Sequence, residues 1–264
     1  MRDIQNEHDS RGVNIQKVGI KDFDVPLKIR RKNNSNQVVN AKARVTVSLP
    51  EEYKGTHMSR FVEILTEWQS KDILGSDLKG CLESIVKTLK AKSGELKFDF
   101  KYFINKKAPV SKLESPMCYE CSFKSILRDF STEKENYKFI LGVKVPVTSL
   151  CPCSKEISDF GAHNQRAIVS VNVSYDRSEH IWIEDLIELV EKCSSCSIYS
   201  LLKREDEKFV TESAYKNPKF VEDILRDVVI ELRNNEIVNS FEVECESIES
   251  IHNHSAWAYQ KEVK

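Results

Sequence analysis

The chain has 264 residues, 31% of them charged, and a formal net charge of −1. This balance excludes the general basic field of a DNA- or membrane-binding surface, and no apolar run approaches the ~20 residues of a membrane span. The polar N-terminus lacks the apolar core of a secretory signal, so we expect a cytoplasmic protein whose eight cysteines are reduced thiols or ligands.

In the first half of the chain the spacing of apolar residues changes twice, from that of a strand to that of a helix and back. Residues 1–18 have no clear period and are expected to form a flexible arm. Alternating apolar residues predict strands, and apolar residues three or four apart predict helices. The predicted elements are two strands, of which one lies over 38–49, a helix over 58–68, a helix after Gly75 that Gly94 closes, and strands over 96–104 and 119–126.

The second half repeats this order of predicted strands and helices, but its amino-acid sequence does not repeat that of the first half. Its predicted elements are strands over 139–147 and 167–175, helices over 183–190 and 220–232, and strands over 241–245 and 251–259. Each half can lay two helices across one face of an antiparallel sheet. We therefore predict an α+β protein of two ββααββ units, 19–130 and 131–264, with the boundary in the polar stretch 131–136.

One loop concentrates chemistry, with the sequence SLCPCSKEISDFGAHNQR. Cys151 and His163 both lie in this connection between two predicted strands, where a scaffold commonly displays function. Thiolate and imidazole are ligands for zinc, and Fe(II) or Mn(II) also accept histidine and carboxylate. Further ligand candidates are Glu207 and His252, and His254 faces the same way as His252 on a predicted strand. The alternative is a buried thiol and a histidine that caps a turn.

Two C-x-x-C pairs, at 118/121 and 193/196, have the letters of a four-cysteine zinc site. The spacing between the pairs is far longer than in a compact zinc ribbon. Residues three apart on a strand also point to opposite faces, which disfavours the first pair as ligands. Packed thiols are the alternative for both pairs.

The region from Tyr199 to Asp227 mixes charge densely. Lys203, Arg204 and Lys208 suit a phosphate-rich ligand, although the composition alone favours a solvated linker. Glu222 lies in the first turn of a predicted helix, where the helix dipole alone explains a carboxylate. No glycine-rich phosphate loop occurs, so side chains would have to hold a nucleotide.

Four segments together resemble a known family. TSLCPCSKEIS…GAHNQR, GTHMSRFVEIL, LLKREDEKFVTE…NPKFVED and SIHNHSAWA are similar to the type IB GTP cyclohydrolases, the prokaryotic folate-pathway form. The resemblance covers nearly the whole chain. It implies a tunnelling fold with two tandem ββααββ units per subunit, a homotetramer with interfacial sites, and conversion of GTP and water to 7,8-dihydroneopterin triphosphate and formate.

The resemblance also implies roles for individual residues. One divalent ion, either zinc, manganese or iron, is expected per site, with the ligands Cys151, His163, Glu207 and His252. Cys151 and His254 are the expected catalytic groups, His254 as a proton carrier, and Glu222 is expected to anchor the guanine. The candidates for holding the triphosphate are Lys155, Arg166, Lys203, Arg204, His57 and Arg60.

Two alternatives stay open at this point. A nitrile reductase of the same fold uses a cysteine nucleophile and no catalytic metal. A binding protein of a different class would use the four C-x-x-C cysteines to staple its structure with zinc.

Overall fold

The computed structural model describes residues 3–69, 71–73, 75–130, 137–176 and 178–264. The chain forms two compact units, one of Met1–Lys101 with Ser122–Leu141 and one of Tyr102–Cys121 with Gly142–Lys264. The predicted boundary at 131–136 lies outside the described residues, and the division into 19–130 and 131–264 stays a prediction.

The first unit follows the predicted order of strand, strand, helix, helix, strand, strand. Its elements are β1 Ile15–Arg30, β2 Asn36–Leu49, α1 Met58–Trp68, β3 Asp72–Ile73, α2 Leu78–Thr88, β4 Gly94–Lys107 and β5 Glu114–Leu127. β2 pairs antiparallel with both β1 and β4, and β5 follows β4 in the strand order. The short β3 is parallel to β1. β4 and β5 also contribute residues to the second unit.

The core of this unit follows from the two periods in the sequence. Successive side chains of a strand point to opposite faces, so the alternating apolar residues of β2 form one buried face. α1 packs against α2 and β1, and both helices bury positions spaced three or four apart. The buried residues of α1 are Phe61, Ile64 and Leu65.

Two features differ from the sequence predictions. The strand β1 begins at Ile15, inside the arm predicted over 1–18, and backbone hydrogen bonds join residues 5–9 to residues 52–55. α2 ends at Thr88, before the predicted Gly94.

Gly94 instead opens β4, and close packing explains the glycine. A Cβ at this position would lie 2.7 Å from Cγ2 of Val86 and 2.9 Å from Cδ1 of Leu82. A side chain would fit between the strand and α2 only if Val86 and Leu82 moved. Gly94 is therefore explained by a packing constraint and not by a helix cap.

The second unit repeats the order with additions. Its elements are β6 Tyr137–Leu150, α3 Pro152–Ile157, β7 Asn164–Tyr175, α4 Ile183–Cys193, β8 Cys196–Ser197, α5 Arg204–Lys216, α6 Val221–Asn234, β9 Val238–Ile248 and β10 Ser255–Val263. The residues of β6 up to Leu141 are counted with the first unit. The strand order is β10-β9-β7-β6, and β8 pairs with β6. α6 packs against β9, β10 and α4. Among the described residues, no helix has both the length and the apolar character needed to cross a membrane.

The helix α5 lies where composition alone suggested a solvated linker. The Asp206 side chain is fully buried and accepts hydrogen bonds from the backbone N–H groups of Val110, Ser111 and Lys203 at 2.8, 2.9 and 2.9 Å. The hydroxyl of Ser111 donates to it as well, at 2.6 Å. Burial alone would raise the pKa of this carboxyl, but the hydrogen bonds outweigh burial and hold the pKa below its usual value. The first turn of α5 is therefore anchored to the segment after β4.

Candidate active site

A cavity of about 250 Å³ in the second unit brings together five of the twelve predicted site residues. The end of β6, the start of β7, the start of α6 and the turn between β9 and β10 surround it. The residues that line it are Ser149, Cys151, His163, Gln165, Lys219, Phe220, Val221, Glu222, Glu249, His252, His254 and Ala256. Five of these residues carry a predicted role: Cys151, His163, Glu222, His252 and His254.

Hydrogen bonds hold Cys151 and His163 together. The N–H of Cys151 donates to the carbonyl of His163 at 3.1 Å. The hydroxyl of Ser154 donates to the Cys151 carbonyl at 3.1 Å and accepts the N–H of His163 at 3.2 Å. Cys151 is the N-cap of α3, with Pro152 as the next residue, and its Sγ accepts the N–H of Ser154 at 3.4 Å. Both residues are half-buried, and these hydrogen bonds connect the two ends of the loop.

The imidazole of His163 has a side-chain partner that sequence reasoning missed. Its Nδ1 lies 2.8 Å from Oε1 of Gln165, and Nε2 of Gln165 donates to Oε1 of Glu249 at 3.3 Å. Gln165 follows His163 by two positions, but nothing in the sequence signals Glu249, because that contact depends on the pairing of β7 with β9.

His252 and His254 lie in the turn between β9 and β10, not on a strand as predicted. β10 begins only at Ser255. The two rings nevertheless lie side by side, with centroids 5.2 Å apart and planes 19° apart. Both side chains are exposed, so this side of the cavity is open to solvent.

The start of α6 contributes Glu222 and two neighbours. Glu222 is exposed in the first turn of the helix, where the dipole favours a carboxylate. Phe220, the N-cap residue, is 38% exposed and lines the same cavity. Lys219 donates to the carbonyl of Cys193 at 2.8 Å and to Asp227 at 2.6 Å. Lys219 and Phe220 were not predicted as site residues. Their position just before Glu222 in the sequence is the feature from which their place at the cavity could have been predicted.

Glu207 lies apart from this group. It is exposed on α5 and is not among the described residues that line the cavity. Across the described residues, no three His, Cys, Asp or Glu side chains are close enough together to hold a metal ion. The thiol and the imidazoles fit a divalent metal in their chemistry, and they share one cavity, but they do not form a closed set of ligands.

The predicted phosphate-binding residues do not converge on the cavity. Nζ of Lys155 donates to the carbonyl of Tyr215 at 2.6 Å and lies 4.5 Å from the centre of the Tyr215 ring. Arg166, Lys203 and Arg204 are exposed.

His57 and Arg60 line a separate cavity of about 110 Å³ in the first unit. Nε2 of His57 lies 3.3 Å from Oδ1 of Asp3. The guanidinium of Arg60 donates to the carbonyl of Thr88 at 3.4 Å.

The C-x-x-C cysteines have a packing explanation. Cys121 and Cys193 are buried, and burial raises the pKa of Cys193 to about 11. Burial also raises the pKa of Cys121 and of Cys196. The buried thiols are therefore accounted for by packing, whereas Cys151 lies at a cavity.

Sequence comparison identifies relatives over the whole chain. The profile of a family described as type I GTP cyclohydrolase folE2 matches residues 1–258. GTP cyclohydrolase FolE2 of Geobacter sp. strain M21 is 50% identical over 262 residues, which cover 98% of this chain and 93% of that protein. The protein of the same name from Thermosipho africanus is 49% identical over 258 residues, which cover 98% of this chain and 96% of that protein.

Solved structures are similar in fold alone. Uricase from Arthrobacter globiformis superposes with a TM-score of 0.56 at 6% identity, covering 94% of this chain and 93% of that one. Urate oxidase from Bacillus subtilis 168 gives a TM-score of 0.55 at 7% identity, covering 94% and 99%. This likeness confirms the predicted α+β tunnelling fold.

Proposed function

The chain belongs to the type I GTP cyclohydrolase FolE2 family, and from this premise we propose how its cavity performs the reaction. The protein converts GTP and water to 7,8-dihydroneopterin triphosphate and formate, the first step of folate and pterin biosynthesis. The observation that carries the site proposal is the shared cavity of Cys151, His163, His252 and Glu222, which come from three separate stretches of the chain.

We propose that the site holds one divalent ion, either zinc, manganese or iron. The ligands in this proposal are Cys151, His163, His252 and Glu207. A thiolate and imidazoles beside a carboxylate suit all three metals. When bound, such an ion lowers the pKa of a water molecule and so supplies hydroxide for attack on C8 of guanine at neutral pH.

Glu207 leads to a proposal about assembly. Its carboxylate is exposed and lies outside the cavity of its own chain. We propose that the protein is a homotetramer with interfacial sites, in which Glu207 of one copy completes the ligand set of another. An isologous or ring assembly can bring such separate surfaces together.

The chain's own residues bind and orient the substrate. As a carboxylate, Glu222 can accept two hydrogen bonds, from N1–H and N2–H of guanine, and so fixes the purine in the cavity. The exposed Phe220 ring beside it offers an apolar surface to the base. The proposed triphosphate contacts are Lys155, Arg166, Lys203, Arg204, His57 and Arg60.

His254 is the proposed proton carrier. Ring opening and loss of formate each move protons, and histidine as a residue type titrates near neutral pH. His254 stacks on the proposed ligand His252 and is exposed at the cavity. It can therefore exchange protons with both solvent and substrate.

Turnover with defined metals tests the metal proposal. The metal-free full chain is incubated with GTP and Zn²⁺, Mn²⁺ or Fe²⁺ in turn, and pterin fluorescence is read after oxidation. We expect activity with at least one ion and none with chelator. Full activity in protein that contains no metal by mass spectrometry would contradict the proposal.

Co-expression of two inactive variants tests the assembly. If Glu207 acts in another copy, mixing Cys151→Ala and Glu207→Gln subunits creates some sites with both native residues. In equal proportions about a quarter of the sites regain both, so activity returns to about that level. Absence of recovery in mixed tetramers would place both ligands on one chain.

A further inference from the structure

A chain of three side chains leads from β9 to His163. Nδ1 of His163 is 2.8 Å from Oε1 of Gln165, and Nε2 of Gln165 is 3.3 Å from Oε1 of Glu249. β7 and β9 pair antiparallel as far as Arg166 opposite Ile248. Because the strands run in opposite directions, the residue before Arg166 lies opposite the residue after Ile248. The register therefore places Gln165 opposite Glu249.

The carboxylate determines which way the amide of Gln165 points. A carboxylate only accepts hydrogen bonds, so the amide must turn its NH₂ group toward Glu249. The opposite orientation would place the amide oxygen against a carboxylate oxygen and would leave Glu249 without this donor. The amide oxygen therefore faces His163, as the distances show.

The amide oxygen in turn determines the proton position on the imidazole. A carbonyl oxygen at 2.8 Å needs a donor, so Nδ1 of His163 carries the hydrogen. In neutral imidazole the other nitrogen, Nε2, then keeps its lone pair. We infer that Gln165 and Glu249 act as positioning residues that hold His163 as the Nδ1–H tautomer, with Nε2 left as the metal-ligating nitrogen.

One further group lies near the same nitrogen. Oγ of Ser250 is 3.5 Å from Nδ1 of His163, at the outer limit of a hydrogen bond. A hydroxyl can donate or accept, so Ser250 favours neither tautomer. The discrimination therefore comes from Gln165.

The functional consequence of this hydrogen-bond chain rests on the proposed metal site. The hydrogen bonds of His163, Gln165 and Glu249 themselves do not depend on an ion. A hydrogen bond to the second nitrogen of a ligating histidine fixes the tautomer and the ring orientation, and its loss typically weakens metal binding about 10- to 100-fold. Gln165 would therefore affect metal affinity without contacting the metal.

Nitrogen NMR of the metal-free full chain tests the tautomer directly. Spectra of ¹⁵N-histidine-labelled protein are recorded at about pH 8.5, above the ordinary histidine pKa of about 6.5, and His163 is assigned by its absence in His163→Gln. We expect protonated Nδ1 and unprotonated Nε2. A wild-type spectrum with protonated Nε2 would overturn the inference.

Two variants separate a positioning role from a merely structural one. Gln165→Leu keeps the size of the side chain but removes the acceptor, so Nε2–H should appear. The exchange of Gln165→Glu together with Glu249→Gln keeps an acceptor at Nδ1 and a donor–acceptor pair between the strands, so it should restore Nδ1–H. An unchanged tautomer in Gln165→Leu, or no rescue by the exchange in a folded protein, would contradict the role.

Affinity for Mn²⁺ and Zn²⁺, measured by competition with a chelating dye, provides the second readout. Gln165→Leu should bind about 10- to 100-fold more weakly than wild type, and the exchanged pair should recover most of this loss. Equal affinity in Gln165→Leu and wild type would overturn the functional part. Expected tautomers in a wild-type chain that binds no metal would refute the metal site while supporting the hydrogen-bond chain.

Discussion

The two sides of the cavity are built differently. The ligand loop, residues 151–163, is half-buried around Cys151 and His163 and is closed by three hydrogen bonds that involve those two residues and Ser154. The histidine turn, residues 249–254, holds His252 and His254 on exposed positions before β10 begins. One side is therefore fixed by the chain itself, whereas the other is open to solvent.

This difference indicates a division of tasks. A fixed loop holds its groups in place before binding, so less order has to be gained when a ligand arrives. An exposed turn leaves imidazoles and the nearby Glu222 accessible to substrate and to solvent. Variants of the ligand loop should therefore affect metal binding, and also stability where they remove the hydrogen bonds of Ser154. Variants at the open side should affect substrate binding and proton transfer.

Loss of Cys151 should have the largest effect. Loss of a partner of a metal ligand typically costs about 10- to 100-fold in activity or affinity. Cys151→Ala removes a proposed ligand itself, so it should lower turnover by more than about 100-fold. The melting temperature should change little, because the thiol is only half-buried. Pterin fluorescence and thermal melting measure the two quantities.

The neighbouring thiols provide matched controls. Cys153 is exposed two positions further along α3, so Cys153→Ala should keep near wild-type turnover. Cys118→Ser should keep its fold and activity, whereas a zinc-stapled protein would lose both. Full turnover in Cys151→Ala would show that the Cys151 thiol is not needed for activity. Unfolding of Cys118→Ser would show that the C-x-x-C thiols are more than packed side chains.

At the open side, Glu222→Gln should mainly weaken GTP binding. A charge-assisted contact contributes about 2–3 kcal/mol, which corresponds to about 30- to 150-fold in affinity. KM should therefore rise by that factor while the melting temperature stays unchanged. Glu231→Gln, on the same helix outside the cavity, is the control, and equal KM values for the two variants would exclude the anchoring role.

The fold was largely predictable because periodicity reports burial directly. The alternating residues of β2 are buried as predicted, and α6 buries one face from Val221 to Leu232. α5 was less visible, since it buries only Asp206 and Ala214. Its polar surface resembles a linker, and only the distant hydrogen bonds of Asp206 show how its start is anchored.

The candidate site was predictable where its residues share one connection. Cys151 and His163 flank a single loop, so their backbone contact follows from local structure. The contact of Gln165 with Glu249 joins residues 84 positions apart and depends on strand register, which residue types alone do not specify. The strand predicted over 251–259 is confirmed from Ser255 onward. Its predicted start, which included His252 and His254, was wrong because β9 and β10 leave their connecting turn unpaired.

A smaller effect should come from Ser154, which closes the ligand loop. In Ser154→Ala the N–H of His163 and the carbonyl of Cys151 lose their shared partner. Net losses of this kind are about 1 kcal/mol per hydrogen bond, so urea unfolding should show a loss of about 1–2 kcal/mol. Metal affinity should fall with it, since the loop is no longer held.

Ser158→Ala provides the comparison within the same loop. Ser158 is exposed. Its hydroxyl donates to the carbonyl of Phe160 at 3.0 Å and accepts the N–H of Phe160 at 3.3 Å, so neither bond reaches Cys151 or His163. Its removal should leave both stability and metal affinity near wild type. If Ser154→Ala behaves the same way, the ligand loop is not held by these hydrogen bonds and the contrast with the histidine turn fails.

The smallest effect should come from the pair that joins α6 to β10, the two elements beside the open side. Arg233 donates to both oxygens of Glu262, and Nε2 of Gln260 donates as well, at 2.7 Å. Hydrogen bonds from Arg233 first, and then from Gln260, lower the pKa of Glu262 from 4.5 to about 2. Between pH 4.5 and about 2, the Glu262 carboxyl therefore binds a proton less readily in the folded state than in the unfolded state.

Stability from this contact is therefore fully present above about pH 4.5 and is lost as the pH falls toward 2. Glu262→Gln should melt slightly below wild type at pH 7, because the pair is exposed and screened by solvent. The difference should shrink as the pH falls from 4.5 and vanish near 2, as thermal melts across that range would show. If the difference in melting temperature between Glu262→Gln and wild type stays constant with pH, Glu262 acts through packing and not through its charge. In that case the elements beside the open side are held together by the packing of α6 against β9 and β10 alone.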